Sequence, residues 1–143
     1  MKKVLKKSIL YIVLSVLFWI GVEYITVWHS QLENWLSLMP YILIEYLTII
    51  LLFYYLFFVR KLAEKKIFII MVIVMYVFEL LWKNVLLCNI VWAVPASFLL
   101  ISIWGFLTFI PFWIVNQSLK ERKVQVIYFL LWIPGGFVLS LCI

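Results

Sequence analysis

The chain contains no aspartate, one histidine and two cysteines in 143 residues. A single His cannot build a paired-imidazole ladder, and Cys88 and Cys142 form no C-x-x-C motif. Neither G-x-S-x-G, nor H-E-x-x-H, nor a Walker-type phosphate loop occurs. Those absences remove zinc-dependent intramembrane proteolysis, thiol–quinone redox work and haem ligation. They leave no catalytic residue, metal ligand or cofactor site to nominate, and the chain reads as a non-enzyme. Charge is scarce too: 13% of residues are charged, against about a quarter in soluble domains. There is no low-complexity linker, no internal repeat and no loop long enough for a soluble domain.

What remains is apolar. Hydrophobic residues make up 69% of the chain and the mean hydropathy is +1.21. A water-soluble fold of this size cannot hide that much apolar surface, so lipid must be its solvent. Aromatics reach 20%, with eight Trp, which suits interfacial belts. The runs Phe53-Tyr54-Tyr55 and Phe57-Phe58 read as part of such a belt.

The net charge of +6 raises nucleic acid as a partner. The distribution excludes it. Basic residues cluster at Lys2, Lys3, Lys6 and Lys7; at Arg60, Lys61, Lys65 and Lys66; and at Lys120, Arg122 and Lys123. Each cluster flanks an apolar run, the pattern of cytoplasmic loops, and no basic face large enough to grip a duplex is left.

The pattern predicts an all-α, polytopic membrane bundle, a single domain over residues 1–143, with five transmembrane helices near 8–28, 40–59, 67–87, 95–115 and 124–143. The first run lacks a small-residue cleavage site and exceeds a signal-peptide core in length, so it reads as a retained helix. His29 to Ser37 reads as a loop, with Pro40 opening the second helix. Cys88 to Val94 reads as a connection, with Pro95 opening the fourth helix, and Pro111 as a kink within it. Pro134, Gly135 and Gly136 bend or break the fifth. Eleven of the 12 basic residues fall on one side of these spans, Lys83 being the exception. That bias places the N-terminus in the cytoplasm and the C-terminus outside the inner (plasma) membrane.

Three glutamates fall within spans: Glu23, Glu45 and Glu79. At a rise of about 1.5 Å per residue, all three lie in the outer half of a hydrocarbon core about 30 Å thick. Lys83 follows Glu79 at the favourable i+4 position, with Asn84 beside it. Intramembrane ionisable groups cost about 2–3 kcal/mol each on insertion scales, so they face protein or water. Glu23, Glu45, Glu79, Lys83 and Asn84 therefore form the expected ligand site, an outward-opening acidic pocket capped by Trp28, Trp82 or Trp92. A structural reading stands beside it: Glu79 and Lys83 neutralise each other, and Glu23 sits near enough to the headgroups to reach water. His29 with Glu33 is thin support for a metal, and Cys88 with Cys142 reads as two small packed residues rather than a disulfide. Gly105, Gly135 and Gly136 form no G-x-x-x-G pair, and Asn116 and Gln117 simply end the fourth span.

The resulting expectation is a small binding or transport component for a cation or small solute, acting as a homo-oligomer or within a larger membrane complex. A structural or assembly subunit is the first alternative. An outer-leaflet lipid- or isoprenoid-modifying enzyme with Glu as general acid is the second. Glu→Gln exchange separates them: it abolishes binding or turnover in the first and last, and disturbs only helix pairing in the other.

Overall fold

Backbone polar groups in hydrocarbon must be satisfied within the chain, which leaves helices as the natural element for these apolar runs. The computed structural model describes residues 2–25, 32–78, 90–131 and 133, and the described residues form helices with no strand. In order they are α1 (Lys2–Glu23), α2 (Leu32–Tyr54) running into a π-turn (Tyr55–Val59), α3 (Glu64–Phe78), α4 (Ile90–Asn116), a 3₁₀ turn (Leu119–Arg122) and α5 (Lys123–Leu130). Three of the five are long and apolar enough to cross a membrane, over Leu5–Glu23, Leu36–Val59 and Ser97–Asn116. α4 is the central element and packs against α1, α3 and α5, while α2 packs on α1.

The side chains are sorted as lipid solvation requires. On α1 the outward stripe is Leu5, Ile9, Val13 and Leu17, whereas Ser8 and Ser15 point into the bundle, Ser15 with no exposure at all. A helix in water would reverse that order. α3 repeats the division, burying Ile67, Met71 and Met75 and exposing Ile69, Ile73 and Val77.

Two helix starts differ from the sequence expectation. α2 begins at Leu32, so Pro40 lies inside the helix instead of opening it. Glu33 in the first turn sits where the helix dipole favours an anion, and a lipid-facing helix tolerates the missing N–H of an exposed proline. α4 begins at Ile90, so residues 90–94 are helical and not a connection, and both Pro95 and Pro111 lie within it. The predicted turn near Cys88, the later part of the third span and residues 134–143 of the fifth fall outside the described residues.

The aromatic belt expected near Tyr54 is largely core. Phe53 and Phe57 are buried, and Phe57 stacks on Phe112 of α4 with ring centroids 3.9 Å apart. The adjacent Tyr55 is exposed. Phe57 continues the inward face of α2, four residues after buried Phe53 and seven after buried Ile50. Further along, Trp19 stacks on Tyr46 at 4.3 Å and meets the edge of Trp104 at 5.3 Å, which ties α1 to both α2 and α4.

The three basic clusters share one end of this bundle. Lys7 Nζ near the start of α1 donates to Asn116 Oδ1 at the end of α4 at 3.0 Å. Arg122 Nη2 donates to Glu64 Oε1 at the start of α3 at 3.1 Å. Two reversals at this end use left-handed residues without glycine, Lys61 (φ 50°) after the π-turn and Gln117 (φ 61°) after α4. At Gln117 the chain makes a Schellman cap: Ser118 N–H donates to Trp113 O and Gln117 N–H to Ile114 O.

Candidate functional site

The expected acidic pocket is only partly in view. Glu23 ends α1 and is buried at 9% exposure, while Glu45 in α2 is half-buried with its Oε1 shielded from solvent. Both belong to the paired helices α1 and α2, and each interacts with neighbouring groups. Glu79, Lys83 and Asn84, together with His29, Trp28, Trp82, Cys88 and Cys142, lie outside the described residues. Among the described residues, no three His, Cys or Glu side chains converge on a metal-sized site.

A cavity among the described residues lies at the other, basic end. Glu64 opens α3, and its placement at a helix start is electrostatically favourable for an acid. From there its carboxylate reaches two neighbours. Trp113 of α4 donates its indole Nε1–H to Oε2 at 3.2 Å, and Arg122 donates Nη2–H to Oε1 at 3.1 Å. Both oxygens are thereby engaged, so Glu64 acts as a strut that fixes an indole and a guanidinium. The Glu64 and Arg122 side chains are 33% and 38% exposed, so their pairing contributes little to stability and mainly sets geometry.

Behind this strut a cleft of about 680 Å³ runs between α3, α4 and α5. Its polar rim is Glu64, Lys65, Arg122 and Gln125, and its wall is Phe68, Phe109, Trp113, Tyr128 and Phe129. Val124, 77% exposed, stands at the mouth. The wall is a continuous ring surface: Phe129 stacks on both Trp113 (5.8 Å) and Phe109 (5.9 Å). Volume and lining fall in the range that encloses a small ligand or the head and upper chain of an amphiphile.

α5 is held against α4 by small groups. Ser102 Oγ donates to Tyr128 O at 2.9 Å, and Tyr128 Oη donates to Phe98 O at 3.4 Å. Gly105 lets the Phe129 ring lie on the α4 backbone, because a Cβ there would fall on top of the ring. Ser102 and Gly105 are three residues apart, a small-residue seam used within the chain.

None of Glu64, Lys65, Trp113 or Arg122 was a site candidate in the sequence. Glu64 sits among four basic residues at 60, 61, 65 and 66 and reads there as a solvated loop acid. The available signal was that an acid sits in a cytoplasmic-type cluster opposite another cluster containing an arginine. No family model matches the chain, and no curated protein or solved structure matches it.

Proposed function

We propose that the chain is a five-span protein of the inner membrane, N-terminus cytoplasmic and C-terminus outside, that serves as a binding component for an amphiphilic molecule taken from the inner leaflet. The observation that carries this reading is the cleft itself: an aromatic wall with a charged rim, at the end of the bundle where the basic clusters gather. Under the positive-inside bias that end faces the cytoplasm, so the rim meets lipid headgroups and the wall meets acyl chains. Both oxygens of Glu64 are engaged by Trp113 and Arg122, which supports binding over turnover. At this size, delivery of the ligand requires a second copy or a larger membrane complex.

The test is purification of the full chain from its own membranes in mild detergent, with mass spectrometry of co-purified small molecules. Wild type is expected to retain an amphiphile that Val124→Trp, which plugs the mouth, loses. Equal recovery from both proteins sinks the reading.

The outward acidic pocket is a second reading, favoured by the burial of Glu23 and the shielded Glu45 Oε1. It requires that Glu45→Gln or Glu79→Gln abolish cation or solute binding while insertion is unchanged.

A further inference from the structure

We infer that the cleft selects an anionic phospholipid, with the lipid phosphodiester seated between Arg122 and Lys65 and an acyl chain along the Phe68–Phe129 wall. This rests on the cleft being a binding site and goes on to specify its headgroup chemistry.

The argument begins with donors left over after the strut is formed. Glu64 accepts from Trp113 and from Arg122 Nη2, which exhausts the one acid on the rim. Arg122 Nε is closed off from solvent and has no acceptor among the described residues. Lys65, exposed at the same rim, makes no ion pair among the described residues. One acid against two bases leaves the rim a single positive charge. A ligand that brings one negative charge and more than one acceptor oxygen matches that charge and meets Lys65 together with the exposed part of the guanidinium, the Arg122 side chain being 38% exposed. A guanidinium takes such an oxyanion through its planar fork of N–H groups, and an ammonium adds a point charge beside it.

The surroundings select the source of that oxyanion. The wall below the rim is apolar, and the mouth at Val124 is open. A free phosphate would leave the apolar wall uncovered where Phe68 and Tyr128 are partly exposed, while a phosphodiester that carries an acyl chain covers it. The other basic residues of this end, including Lys61, Lys66, Lys120 and Lys123, raise the local concentration of anionic lipid without lining the cleft.

The test uses the full chain in nanodiscs of phosphatidylcholine doped with phosphatidylglycerol, released into native mass spectrometry to identify the retained lipid. Wild type is expected to keep one phosphatidylglycerol. Lys65→Gln, an exposed change that leaves the fold intact, should lower that retention several-fold. Arg122→Lys, which keeps the charge and loses the fork, should lower it about tenfold, and Val124→Trp should remove it. Retention of phosphatidylcholine as readily as phosphatidylglycerol, or equal retention in Lys65→Gln and Arg122→Lys, overturns the inference. If in that case Val124→Trp still displaces the lipid, the cleft stands as a binding site and only its headgroup preference is lost. Release of the lipid by inorganic phosphate reassigns the rim to a soluble anion and also overturns it.

Discussion

α4 presents aromatic rings to both of its sides, yet one side is filled and the other is open. Toward α1 and α2, Trp104 meets Trp19, Phe106 stacks on Phe18 at 5.2 Å and Phe112 stacks on Phe57. Toward α3 and α5, Phe109, Trp113 and Phe129 stack on one another and still border about 680 Å³ of space. The rings are of the same kind, so composition is not what separates the two sides. α3 and α5 bring rings as well, Phe68 and Phe78 from the one and Phe129 from the other. What differs is the polar bonding on the open side, where Ser102 holds the Tyr128 carbonyl and Trp113 holds Glu64. In close-packed interiors volume is filled unless something holds the walls apart. Here the Glu64–Arg122–Trp113 strut spans the open side.

Four substitutions break or sharpen this contrast. Trp104→Ala on the filled side should be the most damaging, with a loss of about 3–5 kcal/mol expected for a buried aromatic. It is read as a fall in the midpoint of thermal unfolding in detergent; a loss comparable to that of a surface change would mean the filled side is not close-packed. Gly105→Ala should cost about 1–3 kcal/mol through overpacking, because Phe129 must leave α4. The same protein should lose cleft binding, so an unaltered midpoint with unaltered binding would contradict the close approach. Gln117→Gly should raise stability by about 1 kcal/mol by relieving a left-handed non-glycine residue in the Schellman cap. A lower midpoint would show that the Gln117 side chain, not the turn, holds the basic end. Val124→Trp should leave stability within about 0.5 kcal/mol while filling the mouth. A large destabilisation there would show that the open side tolerates no added volume.

The sequence makes some of this legible and hides the rest for identifiable reasons. Apolar length exposes the three strongest spans, Leu5–Glu23, Leu36–Val59 and Ser97–Asn116, since hydrocarbon thickness fixes how long such a run must be. The shared end of the basic clusters follows from their spacing along the chain and agrees with the Lys7–Asn116 and Glu64–Arg122 contacts. The inward faces are harder to read. In water an apolar stripe marks the core, but lipid rewards apolar residues on both faces, so α4 shows hardly any preferred side. On α1 the core face is marked instead by Ser8 and Ser15, small residues that a hydropathy scan counts against burial. Phe57 faces inward with Ile50 and Phe53, but the exposed positions between them, Leu51, Leu52 and Tyr55, are large and hydrophobic too, so no contrast marks the face. The cleft depends on which helices become neighbours, and that pairing leaves no periodic trace. An acid among lysines is invisible as a site until α4 and the 3₁₀ turn bring Trp113 and Arg122 to it.

The Lys7–Asn116 contact joins positions 109 residues apart and has a consequence for biosynthesis. α1 leaves the ribosome before α4, yet α4 is one of the elements it packs against. Until α4 is made, Ser8 and Ser15 and the Lys7 ammonium wait without that neighbour. During this interval α1 has its packing on α2, which includes the Trp19–Tyr46 stack. The α1–α2 pair can therefore form before α4 exists, whereas the clasp at Lys7 closes only when the chain has passed Asn116.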